Sequence, residues 1–292
     1  MYVANRASNS ITVYAPDATG NAVPSDTIAG SSTEIDQPVG IVFDAAGRLY
    51  ISRVNPPSVQ VFSSHARGNV AASATITGSN TGLGQVIGLA FDAAERLYVA
   101  NGGSNTVTVY AAGANGNVAP IRTIAGSNTG LDGPFGIAVD TNGRLYVANV
   151  LSSVITIYAA GANGNVAPVA VIAGSSTNLN DPVGVALDGA GRLYVVNASF
   201  SAPSVTVFAP GASGDATPSA TITGPSTGLD QPNGVAVDHA GQIYVANSPF
   251  AAHSITVYAA GANGDAAPIR KIAGLNSALN EPRFLAFGPA GP

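Results

Sequence analysis

Cysteine and tryptophan are absent from the 292 residues, methionine occurs once and Lys271 is the one lysine. Without cysteine there are no disulfides, no thiolate nucleophiles and no cysteine-ligated zinc or iron–sulfur sites. Charged residues make up 9% of the chain, against roughly a quarter in ordinary soluble domains. The 11 Lys+Arg are outnumbered by 16 Asp+Glu, giving a net charge of −5. A nucleic-acid partner, which needs clustered cations, is therefore not expected. No apolar run approaches the roughly 18 residues of a membrane helix, so no membrane span is expected either. Three histidines leave little material for acid–base chemistry.

What the sequence has in abundance is repetition. Tyr-Val-Ala-Asn at Tyr2 recurs with small changes at Tyr50, Tyr98, Tyr146, Tyr194 and Tyr244, at intervals of 48 residues four times and then 50. A further 50 leads from Tyr244 past Pro292 and through Met1 back to Tyr2, so six units use the whole chain. Each unit holds four β-like runs; in the third they cover 136–140, 145–148, 154–158 and 169–173. Alternation of β-branched and aromatic residues is the strand signal, clearest in Ser254-Ile-Thr-Val-Tyr258. With 35 Gly and 19 Pro interrupting every candidate, no helical spacing persists.

Four strands per unit of this length is the pattern of a propeller blade. The expected fold is all-β: a single domain over 1–292, a six-bladed β-propeller with four antiparallel strands per blade. A β-helix is the alternative, but its coils are usually shorter and more regular. The run 282–288 matches a first strand and 1–4 matches the second strand of the same blade. One blade is thus closed by one C-terminal inner strand plus three N-terminal strands, which removes open sheet edges.

The run Pro134-Phe-Gly-Ile-Ala-Val-Asp-Thr-Asn-Gly-Arg-Leu-Tyr-Val-Ala-Asn149 resembles an NHL repeat, whose pattern is Pro-x-Gly-(apolar)-Ala-x-Asp-x-x-Gly-x-(apolar)-Tyr-Val-x-Asp. The resemblance covers all six units. Asn stands where the family often has Asp, and the His often seen in the following loop is missing. The resemblance implies a propeller but no single activity, since NHL relatives include binding modules, lyases and lactone hydrolases.

Residues that recur from unit to unit are expected to be structural. Asp44, Asp92, Asp140, Asp188 and Asp238 end first strands, where a carboxylate closes a tight turn by accepting backbone N–H groups. Asn5, Asn101, Asn149, Asn197 and Asn247 end second strands and satisfy loop backbone. The ten Tyr pack between blades, and Arg48, Arg96, Arg144 and Arg192 are read as surface residues. The Gly-Asn-rich loop at 111–120, repeated at 159–168, is a turn device between third and fourth strands. It neither opens a helix nor ends in Lys-Ser/Thr, so it is not a phosphate loop.

Function is expected where the units differ, on the face formed by the loops between second and third strands and by the linkers between blades. The residue before the repeated Gly, at the mouth of the channel, reads Val39, Ile87, Phe135, Val183, Asn233 and Arg283 round the ring. The loops of blades four and five are two residues longer and carry Phe200 and Phe250, with His253 beside the latter. Blade one has Arg53 in place of the usual Asn, followed by Pro56-Pro57, and blade six carries Arg6. The expectation is a shallow pocket with an aromatic arc of Phe135, Phe200 and Phe250, Asn233 and His253 beside it, and an opposed arc of Arg6, Arg53 and Arg283. Such a face suits a small molecule, glycan or protein partner offering apolar area and carboxylate, phosphate or polar backbone groups. Alternatively the phenylalanines pin their own loops and the arginines are solvated.

The sequence favours recognition over catalysis. His253 is the one histidine on that face, and no Gly-x-Ser-x-Gly elbow is present. Glu34 and Glu281 lie in linkers of neighbouring blades and with Asn233 are weak candidates for a Ca²⁺ site. Gluconolactonase-like propellers, which the fold resembles, hold such a metal with Glu, Asn and Asp, but their first-blade Glu has no counterpart here. A virginiamycin-lyase-like reading would need histidines this face lacks. The classes in play are a recognition propeller, a Ca²⁺-assisted hydrolase or lyase, and an engineered or purely structural repeat protein. Composition points to a secreted or cell-envelope protein, and Met1, standing in mid-unit where the repeat has Leu, fits a boundary that has lost a leader.

Overall fold

The structure, a computed structural model, describes residues 1–250 and 252–288; the last four positions of the 1–292 domain lie outside them. Six sheets of four antiparallel strands form a ring, with no α-helix among the described residues. The innermost strands are Pro38–Phe43, Val86–Phe91, Pro134–Val139, Pro182–Leu187, Pro232–Val237 and Pro282–Ala286. Each contacts the next, and the last contacts the first. The sixth sheet combines Pro282–Ala286 with Tyr2–Asn5, Ser10–Val13 and Asp26–Ile28, pairing Val3 with Leu285 and Tyr2 with Ala286. The closure anticipated from the spacing of the tyrosines is therefore present.

Four of the six second strands, Leu97–Asn101 among them, are buried at every position, because neighbouring blades cover both their faces. Outer strands are only three residues long in most blades, as in Ala74–Ile76, which leaves little edge to template association. Inner strands start two residues earlier than the pattern 136–140 indicates. Pro134 pairs with Asn149, and a register shift separates it from the Ile137–Val147 pair. Proline is tolerated at a first strand position, and the bulge after it re-aims the next side chain.

The Gly-Asn-rich loop is more than a turn. It reaches back and clasps the outer strand of the preceding blade. Gly116 N–H donates to Thr75 O at 2.9 Å, and Thr77 N–H donates to Gly116 O at 3.2 Å. Asn117 Oδ1 accepts the Asn80 N–H at 2.8 Å. The same clasp joins blades five and six through Gly20 and Asn21, so the ring is sealed at its rim as well as inside its sixth sheet. A side chain at Gly78 would collide with Asn117 at 2.5 Å, and its φ of 118° already demands glycine.

The third-strand tyrosines tie linkers down. Tyr110, Tyr158 and Tyr258 donate to the carbonyls of Thr81, Thr129 and Thr227 at 2.5, 2.6 and 2.7 Å, and Tyr14 donates to Ser277 O. Burial pushes each of these four phenols up to about 12. In blade one Phe62 lacks the hydroxyl, and Gln60 two residues earlier donates to Thr33 O at 3.0 Å instead.

Candidate functional site

The uniform face resolves into repeated ion pairs. Asp140 shows the pattern: Oδ1 accepts the N–H groups of Asn142 and Arg144, and Oδ2 accepts Arg144 Nε at 2.7 Å. Arg48, Arg96 and Arg192 make the same contact with Asp44, Asp92 and Asp188, each at 2.6 Å. These arginines are thus partners of the turn carboxylates rather than free surface groups. In blade five Gln242 replaces the arginine, and Arg270 reaches over to Gln242 and Tyr244. A recess of about 490 Å³ between blades four and five lies on this face. Its carboxylates, Asp188 and Asp238, are committed to their own turns. That recess adds nothing the repeat does not explain, apart from His239.

The variable face is built on the bulges. In every blade the bulge falls where the sequence analysis placed the mouth of the channel, so Phe135, Asn233 and Arg283 are aimed by an irregularity of their strands. Behind them the repeated glycines let neighbouring inner strands touch; a Cβ on Gly136 would sit 2.4 Å from Val183 O. The sixth unit has Phe284 at the glycine position. Its ring stacks on Phe135 with centroids 6.1 Å apart and planes at 25°. Blades three and six stand opposite each other, so this pair bridges the axis of the ring. Comparison of the six units places Phe135 on this face but gives no sign of its stack on Phe284.

Two recesses adjoin at Arg6 and Arg283, and Phe135 lines the smaller of them. One, about 200 Å³, is lined by Val39, Val54, Gln85, Ile87 and Phe135, with Arg6 and Arg283 on its wall. The other, about 390 Å³, lies between blades five and six and shares the same two arginines. It adds Gln231, Asn233, Ser248, Phe250, His253 and Glu281. Arg6 Nη1 and Arg283 Nη2 lie 3.3 and 3.6 Å from a single oxygen, Glu281 Oε2. Arg6 also donates to Gln37 at 2.9 Å, and Arg283 donates to Asn233 Oδ1 at 2.8 Å. Burial, and then the nearby Arg6, push the Arg283 guanidinium below its ordinary value. Arg283 Nε and His253 Nδ1 are buried without a hydrogen-bond partner.

Of the residues singled out in sequence, Phe135, Phe250, Asn233, Arg283, Arg6 and His253 meet in these recesses, with Glu281 between the arginines. Arg53, Phe200 and Glu34 line neither. Arg53 donates to the Glu34 carbonyl at 3.2 Å, so these two meet each other instead. Phe200 and Phe250 are 80% and 92% exposed, which leaves them nothing to pin. Leu151, in the corresponding loop of blade three, is 74% exposed and extends the apolar rim to three consecutive blades. Its place in a second-to-third strand loop was the signal that could have found it. Among the oxygens named for Ca²⁺, Glu281 Oε2 and Asn233 Oδ1 face guanidinium groups. Among the described residues no three His, Asp or Glu side chains are grouped to hold a metal.

No helix among the described residues is long and apolar enough to cross a membrane. No protein-family model matches the chain, and no curated protein matches its sequence. Solved structures do resemble it in fold. A protein of unknown function from Bacteroides caccae has a TM-score of 0.68 at 10% identity, covering 97% of this chain and 96% of that one. A chain of a nidogen/laminin complex has a TM-score of 0.58 at 14% identity, covering 94% and 98%. A virginiamycin B lyase from Staphylococcus aureus, catalytically inactive through a histidine-to-alanine change and crystallised with quinupristin, has a TM-score of 0.51 at 12% identity, covering 78% and 73%. At such identities the likeness is one of fold alone: this chain is a six-bladed β-propeller.

Proposed function

We propose that the chain is an NHL-type propeller acting as a non-catalytic recognition module, which takes a small molecule, glycan or protein partner on the variable face around the channel. One observation carries this reading: the two recesses and their shared arginine wall lie where the six units differ. The single imidazole there, His253, and a carboxylate already facing two guanidinium groups favour binding over proton transfer. The exposed Phe200, Phe250 and Leu151 offer apolar contact at the rim. The low charge and the lack of cysteine support a secreted or cell-envelope setting.

A screen of glycans, short peptides and metabolites against the intact protein tests the proposal. At least one class should bind, and Phe250→Ala and Arg6→Ala should weaken that binding while leaving the melting temperature unchanged. Binding that survives both substitutions, or that maps to the opposite face, would contradict the reading. The Ca²⁺-assisted hydrolase alternative requires Glu281 and Asn233 to give up their arginines, and a calcium-dependent rise in melting temperature would favour it.

A further inference from the structure

We infer that the paired recesses receive an amphipathic carboxylate: the carboxylate between Arg6 and Arg283, and an aromatic or aliphatic group on Phe135, Ile87 and Val39. This rests on the recognition reading above and gives it a ligand class. Charge balance is the first argument. Arg6 and Arg283 share one carboxylate oxygen, so this corner carries an unmatched positive charge in a protein whose net charge is −5. Every arginine that belongs to the Asp turns has an aspartate of its own. Of the other acids near the corner, Asp36 lines an adjoining recess that shares Arg6 and Glu281, and it makes no ion pair with Arg6 or Arg283.

Burial is the second argument. The Arg283 side chain is only 23% exposed, so its guanidinium is poorly solvated and gains from a second anion. Its Nε and the Nδ1 of His253 stand without partners on the same wall. Shape is the third. Immediately beside the two guanidiniums the lining turns apolar, with Val39, Val54, Ile87 and Phe135. A ligand with one anionic end and one apolar end fits both compartments. A simple inorganic anion leaves the apolar one unfilled, and a neutral sugar leaves the charge unmatched.

The test titrates 4-phenylbutyrate, its primary amide and butyrate against the intact protein, by calorimetry and by chemical-shift mapping. A second series uses the tripeptide glycyl-glycyl-phenylalanine with a free and with an amidated C-terminus, to separate a free organic acid from a peptide end. Acids should bind about tenfold more tightly than their amides, as expected for a charge-assisted contact. Butyrate, which lacks the aromatic group, should bind more weakly than 4-phenylbutyrate. Arg6→Gln should weaken the acid and leave the amide little changed, whereas Glu281→Gln should tighten the acid several-fold. Amides that bind this face as well as the acids would overturn the carboxylate inference while leaving recognition intact. No shift with any probe would overturn the inference, and the broader screen would still decide the recognition reading.

Discussion

The two faces of this ring treat the same kind of residue in opposite ways. On the uniform face Arg48, Arg96, Arg144 and Arg192 each have an aspartate four residues back, with Nε–Oδ2 distances of 2.6 to 2.7 Å. On the variable face Arg6 and Arg283 share one glutamate at longer range. A pair that recurs in blade after blade holds the turn that every blade needs. A cluster that occurs once, unbalanced in charge and set beside an apolar hollow, has no such repeated task. In a repeat protein, therefore, symmetry marks scaffold, and a break in it directs attention to function.

Breaking the ring should abolish the comparison altogether. Deleting residues 1–30 removes three of four strands from the sixth sheet, and scanning calorimetry should show loss of the cooperative transition. A truncated chain that melts as sharply as the parent would contradict ring closure. Next in size, Gly136→Ala drives a Cβ to within 2.4 Å of Val183 O, and denaturant unfolding should register a loss of about 1–3 kcal/mol. On the uniform face, Asp140→Ala strips the acceptor from two N–H groups and a guanidinium, for an expected loss of about 1–3 kcal/mol. Phe200→Ala, on an exposed rim residue, should stay within about 0.5 kcal/mol of the parent.

Proton linkage sharpens the contrast from both ends of the pH scale. Burial would raise Asp92 and Asp188, but the backbone N–H and guanidinium of Arg96 and Arg192 outweigh it and hold both below the ordinary value. A carboxyl depressed in the folded state contributes stability above its unfolded pKa of 3.8 and loses it as pH falls through the folded one. Tyr14, Tyr110, Tyr158 and Tyr258 behave in the reverse sense. Their contribution is intact below the unfolded value of 10.0 and is lost as pH rises towards about 12. Melting temperature against pH should therefore fall off below pH 4 and above pH 10. A Tyr110→Phe variant should show a smaller alkaline decline.

Much of the architecture was legible because a repeat states the same thing six times. The spacing of the tyrosines fixed the blade count and the closure through Tyr2–Asn5 and Pro282–Ala286. The Asp turns were legible through their local chemistry; the recurring Asp-x-x-x-Arg spacing carries the ion pair as well, although in sequence the arginines read simply as surface residues. Contacts made by a loop with the previous blade were not legible. Asn117 looks like an ordinary turn residue until Asn80, three strands earlier in the chain, is seen to donate to it. The site was half legible. Variation among units picked out Phe135, Phe250, Asn233, Arg283, Arg6 and His253, but the Phe284 ring needed the geometry of opposite blades before its stack on Phe135 could be seen. Arg53 and Phe200 differ from their repeat counterparts as clearly, yet neither lines a recess: Arg53 is turned onto the Glu34 carbonyl, and Phe200 stands exposed in the loop equivalent to that of Phe250, which sequence difference alone does not reveal.

The most direct measurement pairs Arg144→Gln with Arg6→Gln and records melting temperature and 4-phenylbutyrate affinity for both. If symmetry marks scaffold and its absence marks the binding face, Arg144→Gln lowers the melting temperature and leaves affinity unchanged. Arg6→Gln, losing a partly exposed ion pair and the hydrogen bond to Gln37, should change stability less than Arg144→Gln, by at most about 1 kcal/mol, and weaken binding about tenfold. Equal effects of the two substitutions on affinity, or a larger loss of stability from Arg6→Gln than from Arg144→Gln, would contradict it.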